Sequence, residues 1–225
     1  MDRHRPYTGR SGINKQIIMK RIYLILTCAV LLMAVGVLAV PFNGGQTEDE
    51  MIESIVKSCS DMNSMKCDIC QTRRVPLMDE PQKSSGTMIY IRPSRFCLNY
   101  TEPFEWKLKV DGDNVMTGTG DESVMSGDAG RLYKGISGMI LGCMSGEMLK
   151  DRRTFRVTIT DVGSEWKALL VPQRRDMKRM FSQIELGFDP DTRLLKRLMM
   201  EDSGGGSTEI QISNVKLNGD YEAEW

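Results

Sequence analysis

The sequence predicts a mainly β domain of the α+β class: an antiparallel sheet of about eight to eleven short strands, closed into a barrel or strongly curved, with two helices inserted. Three observations predict it. From Met65 onward most of the chain alternates apolar and polar residues in short runs. Turn signals rich in Gly, Asp and Asn separate those runs. Two stretches instead carry apolar residues at helical spacing. A chain of 225 residues is long enough for one ordinary domain with a sizeable core, plus a targeting segment.

Charge divides the chain. Residues 1–21 carry Arg3, Arg5, Arg10, Lys15, Lys20 and Arg21 against Asp2, a net of +5, so the rest of this chain of zero net charge is −5. A mildly acidic domain lacks the basic face that nucleic acid requires, and no nucleic-acid partner is expected. The basic start runs into Ile22–Val40, nineteen residues without a charge. Lys20-Arg21 followed by Ile-Tyr-Leu-Ile-Leu has the layout of a signal peptide, with cleavage before Val40 and Met19 as an alternative start. The expected organisation is a signal peptide over 1–39, a linker over 40–47 and one domain over 48–225. Retained, the same apolar stretch is long enough to anchor the chain in a bilayer. Cys28 is a poor lipoprotein acceptor, because bulky Thr27 precedes it. Export leaves Cys59, Cys67, Cys70, Cys97 and Cys143 in a compartment that permits disulfides. Their odd number and their spacing form no disulfide framework, and most read as small buried hydrophobes.

Thr47 opens the domain as a helix cap, with Glu50 three residues on to complete a capping box and acids at the positive helix end. Met51, Ile52, Ile55, Val56 and Cys59 form one apolar stripe, and the helix should end near Asp61-Met62-Asn63. Strands follow. Gly86–Ile91 alternates, and Phe96, Leu98 and Tyr100 face away from Arg95, Cys97 and Asn99. Trp106, Leu108 and Val110 alternate with Glu105, Lys107 and Lys109, up to a hairpin at Asp111-Gly112-Asp113-Asn114. Thr117 to Asp128 reads as a loop. A second helix spans roughly Ala129–Met144, with Leu132, Ile136, Met139, Ile140 and Cys143 on one face. Gly135, Gly138 and Gly142 each weaken it by about 1 kcal/mol relative to Ala, which marks an element that depends on tertiary contacts and can move. Phe155–Ile159, Trp166–Leu170, Ile184–Phe188, Leu194–Met200 and Glu209–Leu217 continue the strands, with turns at Asp189-Pro190-Asp191 and Ser203–Ser207.

His4 is the only histidine and precedes the apolar segment, so the domain has no imidazole. That removes Ser-His and Cys-His catalysis and most zinc sites. No catalytic residue, metal or cofactor is expected. Cys67-Asp68-Ile69-Cys70 has CxxC spacing, but in a strand residues i and i+3 point to opposite faces, so the pair reads as two structural thiols. A thiol-dependent envelope oxidoreductase is the competing enzyme reading. Asp111, Asp113, Asp121, Glu122 and Asp128 lack the ligand spacing of a calcium loop. Seventeen methionines against six phenylalanines suit surfaces that accept variable apolar partners, as well as ordinary core filling.

Three segments together resemble the LolA family of periplasmic lipoprotein carriers. Ser85-Gly86-Thr87-Met88-Ile89-Tyr90-Ile91-Arg92-Pro93-Ser94-Arg95-Phe96, with Asn99-Tyr100-Thr101-Glu102-Pro103 after it, is similar to the family's run of alternating hydrophobics ending in R-P-x-x-F. Val110-Asp111-Gly112-Asp113 is similar to its D-G hairpin. Met200-Glu201-Asp202, Gly205, Thr208 and Ile212-Ser213-Asn214-Val215 are similar to its C-terminal pattern. Leu98 stands where members carry an aromatic residue, and residues 112–130 are Gly-rich where many carry Trp and Tyr. The resemblance covers roughly Glu50–Leu217.

The resemblance implies an unclosed, curved antiparallel β-barrel with a helical lid over an apolar cavity. It implies a monomeric periplasmic carrier that shields the acyl chains of lipoproteins, receiving them from an inner-membrane lipoprotein-releasing ABC transporter and passing them to an outer-membrane acceptor. The cavity and lid residues expected on this basis are Met88, Tyr90, Phe96, Leu98, Trp106, Leu108, Leu132, Ile136, Met139, Ile140 and Trp166. Arg92 matches the arginine that holds the lid shut, and the helix at Ala129–Met144 is its expected partner, through backbone carbonyls at a helix end. A membrane-anchored receptor or sensor on the same scaffold, and an extracellular structural module, are the other readings.

Overall fold

The computed structural model describes residues 46–225 apart from Asp113, 120–122 and 125–126, and leaves the side chains of 123, 128–134, 136 and 137 undescribed. The expected signal peptide lies outside the described residues. Helix α1 (Glu48–Ser60) starts as the capping box dictates: Thr47 Oγ1 accepts from the Glu50 N–H at 3.3 Å, and Glu50 Oε2 accepts from the Thr47 N–H at 2.8 Å. Its stripe of Met51, Ile52, Ile55 and Cys59 is buried, and the chain leaves the helix at Asp61.

The strands are β1 (Ser64–Arg74), β2 (Gln82–Ile91), β3 (Arg95–Glu102), β4 (Trp106–Asp111), β5 (Asn114–Gly118), β6 (Ser123–Val124), β7 (Phe155–Asp161), β8 (Trp166–Pro172), β9 (Phe181–Phe188), β10 (Leu195–Asp202) and β11 (Ser207–Leu217). Between β6 and β7 come α2 (Gly127–Ser145) and α3 (Glu147–Lys150); α4 (Arg175–Met180) joins β8 to β9. All eleven strands form one curved, unclosed antiparallel sheet in the order β6-β5-β4-β3-β2-β1-β11-β10-β9-β8-β7. Two meanders are joined where β1 pairs with β11. Edges β6 and β7 do not pair with each other, and α2 and α3 occupy the connection between them. Two details depart from expectation. Residues 117–128 are not wholly loop, since Met116 and Thr117 pair with Val124 and Ser123. The helices α3 and α4 add to the two expected, because neither is long enough to show a period of 3.6.

The registers sort the turns into two ends. The turns at 75–81, 103–105 and 203–206 lie at one end with α4, and the α1–β1, 92–94 and 189–194 turns lie at the other. One large apolar cluster holds the α1 stripe, the end of α2 and the inner faces of the long strands. Gly86 lets β2 and β3 come together: a Cβ there would stand 2.0 Å from the Asn99 carbonyl oxygen.

The outer face is also covered in one place. Ile89, Ile91 and Cys97 pack under Tyr221 and Trp225 of the C-terminal segment. The Arg95 and Lys109 side chains lie 5.2 and 5.3 Å from the Trp225 ring centre, Arg95 Nη1 donates to Glu222 Oε2 at 2.6 Å, and Lys66 pairs with Glu224. Met88–Ile91 is therefore buried on both faces. Among the described residues no helix is long and apolar enough to cross a membrane.

Candidate functional site

A cavity of about 570 Å³ lies between the inner face of the sheet and α2. Register builds it. Leu98 faces Leu108 and Tyr100 faces Trp106 across β3 and β4, while Gln71 and Arg73 of β1 face Ile210 and Thr208 of β11, with Met200 beside Thr208. Directly opposed residues share a face, so these side chains converge on one space. Phe181 and Met180 close one side, and Ile140 of α2 reaches in from above. The inner face of β1 grades from buried Met65, Cys67 and Ile69 to Gln71 and exposed Arg73. Depth is thus apolar and the mouth polar, where Arg73 Nη2 stands 3.9 Å from Asp202 Oδ2.

Inside, Tyr100 on the aromatic wall has a partner for its hydroxyl: Tyr100 Oη donates to Gln71 Oε1 at 2.8 Å, and its ring sits 5.9 Å from that of Trp106. Burial pushes the Tyr100 phenol up to about 12, so it stays neutral. Among the described residues no three His, Cys, Asp or Glu side chains come together to hold a metal. The volume falls within the roughly 300–1,000 Å³ of small-molecule sites. An apolar pocket of that size with a polar rim can take up a hydrocarbon chain and keep its headgroup outside.

Of the residues singled out from sequence, the fold brings Leu98, Trp106, Leu108 and Ile140 to this cavity. Met88, Tyr90 and Phe96 are buried in the same apolar cluster nearer the α1 end, and Met139 is buried on α2 without lining the cavity. Trp166 is buried under the Arg193 guanidinium, 3.9 Å above its ring centre. The side chains of Leu132 and Ile136 lie outside the described residues. Met180 and Met200 belong to the methionine excess that suits variable apolar partners; the lining residues Gln71, Arg73, Tyr100, Phe181, Asp202, Thr208 and Ile210 were not anticipated. The alternation of β1 and β11 gives the facing of Gln71, Arg73, Thr208 and Ile210; what a single strand cannot give is that these two strands are neighbours.

Arg92 requires a correction. Among the described residues its partners lie not on α2 but at α1. Its Nη2 donates to the Cys59 carbonyl at 2.8 Å and its Nε to the Met62 carbonyl at 3.1 Å, both at the C-terminal end of α1. The kind of acceptor is the expected one, a helix end whose carbonyls lack intrahelical partners and whose dipole favours a cation. The helix differs because Ser64 of β1 pairs with Ile91 of β2, which sets the end of β2 beside the turn leaving α1. Arg92 also lowers the pKa of the Cys59 thiol, but burial outweighs it and holds the thiol up at about 11. A second arginine, unanticipated, also reaches α1: Arg193 Nε donates to Ser54 Oγ at 3.2 Å.

Cys67 is buried and Cys70 exposed, and all five described cysteines are free thiols. Burial, helped by Asp68, pushes Cys67 up to about 12, so it supplies no thiolate at neutral pH.

The model of the family described as outer membrane lipoprotein carrier protein LolA matches residues 60–225. The chain is 26% identical over 182 residues to the outer-membrane lipoprotein carrier protein of Methylobacillus flagellatus, a match covering 80% of this chain and 84% of that one. It is also 26% identical over 137 residues to the protein of the same name from Cupriavidus taiwanensis, covering 60% and 61%. Among solved structures it is similar to a LolA superfamily protein from Nitrosomonas europaea, with a TM-score of 0.40, 10% identity and coverage of 78% and 95%. It is similar also to the MucA/MucB complex of Pseudomonas aeruginosa, with a TM-score of 0.47, 12% identity and coverage of 76% and 57%. At these identities the likeness to solved structures is one of fold alone.

Proposed function

The chain belongs to the LolA family, and we propose that it is a periplasmic carrier that binds lipoprotein acyl chains in its cavity. In this reading an inner-membrane lipoprotein-releasing ABC transporter supplies the cargo and an outer-membrane acceptor takes it. The observation that carries the reading is the cavity itself: an apolar space of about 570 Å³ under α2, with a polar mouth, in a sheet whose edge strands leave it unclosed. Each CH₂ buried there is worth about 0.8 kcal/mol, which is the free energy that otherwise keeps acyl chains out of water. Carrying requires no covalent step, in keeping with a domain without imidazole.

Leu98, Trp106, Leu108 and Ile140 contact the chain directly in this proposal. Leu132, Ile136 and Met139 complete the α2 cover, while Met88, Tyr90, Phe96 and Trp166 shape the floor on which it and α1 rest. Arg92 holds α1 to the sheet, and acyl entry competes with the closed arrangement, so that binding and opening are one equilibrium.

The test is titration of protein recovered from the periplasmic fraction with an acylated lipopeptide and its unacylated counterpart. Only the acylated form should bind, and filling the cavity with Leu108→Trp should weaken binding while the protein stays folded. Equal binding of the unacylated peptide, or undiminished binding by the folded variant, overturns the proposal.

A further inference from the structure

We propose that the end of the sheet carrying the cavity mouth docks directly on an anionic lipid bilayer, inserting Leu77, Met78 and Phe104 into the interface and setting the cations of α4 on lipid headgroups. The reading goes beyond acyl carriage and does not depend on it.

The first observation is exposure. Leu77 is 97% exposed, Phe104 80% and Met78 50%, and all three sit on turns at one end of the sheet. Leu77 and Met78 stand out from one turn and Phe104 from another, as protruding single groups. A bilayer interface accommodates protruding groups singly.

The second is continuity. A Cβ on Gly205 would meet Pro76 at 3.6 Å, which sets the β10–β11 turn against the β1–β2 turn. The Ser203 N–H donates to the Met180 carbonyl at 3.0 Å, which sets α4 against the β10–β11 turn. Lys83 and Ser84, just after the β1–β2 turn, share a surface groove with Phe104. The three tips and α4 therefore form one rim, and Arg73, Asp202, Met180 and Trp106 of the cavity lining stand on it.

The third is charge. Arg174, Arg175, Lys178 and Arg179 crowd α4 against one acid, Asp176, which Arg174 already holds at 2.8 Å. Among the described residues no carboxylate lies at ion-pair distance from Arg175, Lys178 or Arg179, all of them exposed. Asp79 and Glu80 on the β1–β2 turn are matched in number by Arg74 and Lys83 beside it, and Arg73 stands by Asp202. Glu102 and Glu105 flank Phe104 and offset two of the three unmatched cations of α4, so the rim keeps a small positive excess whose cations sit on α4, where each cation near an anionic surface adds to binding. The occupant this favours is a bilayer containing acidic phospholipid.

The experiment uses the full chain with Cys28→Ser and Cys70→Ser, labelled with an environment-sensitive fluorophore through Leu77→Cys, Phe104→Cys or, as a control at the opposite end, Leu217→Cys. Vesicles of phosphatidylethanolamine with phosphatidylglycerol are compared with vesicles of phosphatidylcholine. On anionic vesicles the probes at 77 and 104 should shift to the blue and lose iodide quenching severalfold, while the probe at 217 stays in water. Every variant keeps the N-terminal apolar segment, so attachment through that segment is told apart by a triple change on α4, which leaves the segment intact. Arg175→Gln with Lys178→Gln and Arg179→Gln should return the rim probes to water. The proposal is overturned if the probes at 77 and 104 behave like that at 217. It is overturned equally if their shift is the same on neutral vesicles and survives the triple change, or if they are shielded only when a membrane protein is added.

Discussion

Replacing Arg92 by leucine should loosen α1 without unfolding the sheet. The side chain makes two charge-assisted hydrogen bonds, to the Cys59 and Met62 carbonyls. Such bonds contribute about 1.5–3 kcal/mol each when shielded. Arg92 is an exposed residue, and solvent screening reduces the pair together to about 1–2 kcal/mol. That corresponds to a shift of about 5–30-fold in the equilibrium between docked and undocked α1. Amide hydrogen exchange reads it directly: protons of Met51–Cys59 should exchange faster by that factor in Arg92→Leu, and those of β9 and β10 should not change. Arg92→Lys should fall between, since an ammonium lacks the planar fork that reaches both carbonyls. Unchanged α1 exchange in a folded Arg92→Leu protein refutes the account of α1 as an element latched by this residue.

Gly86→Ala should destabilise the fold by about 3 kcal/mol, because its Cβ would collide with the Asn99 backbone; denaturant midpoints check this, and a loss under 1 kcal/mol would mean the strands can separate at no cost. The buried thiols make the fold alkali-labile. Burial holds Cys59 at about 11 and Cys67 and Cys143 at about 12, against 9.0 when unfolded. Raised acid groups stabilise fully below pH 9, and the contribution falls as pH climbs toward the folded values, by about 1.4 kcal/mol per thiol per pH unit. Under reductant, Tm should hold to pH 9 and then drop, and Cys67→Ala with Cys143→Ala should shrink the drop; a Tm flat to pH 11 contradicts it. Near pH 8, iodoacetamide should modify Cys70 and spare Cys67, and rapid labelling of Cys67 would revive a thiol chemistry.

What could be read ahead of the structure followed from local rules. Thr47 with Glu50 located the start of α1, and simple alternation located β3, β4 and the strands after Phe155. Pairing of distant segments was not local. Nothing in Ser64–Arg74 alone says that Ser207–Leu217 lies beside it, so half the cavity wall escaped notice and Arg92 was assigned to the wrong helix. One signal was present and unused: Met88-Ile89-Tyr90-Ile91 has no polar member, the mark of a strand buried on both faces. It announced the cover that Tyr221 and Trp225 provide. Six residues such as Arg175–Met180 carry too little pattern to distinguish a helical turn from a loop.

The pairing of β1 with β11 also sets the order in which the molecule can be made. Partners across that seam, from Arg74–Ser207 to Met65–Leu217, stand 133 to 152 residues apart in the chain. Contacts so remote in sequence must close a long loop before they are rewarded, which slows folding. Until β11 emerges, β1 has a bare edge, the apolar inner faces of two half-sheets have nothing to face, and neither meander holds a complete wall of the cavity. The nascent chain thus stays open until β11 has been made, and a sheet still open is one that can be unthreaded and threaded with little to unfold.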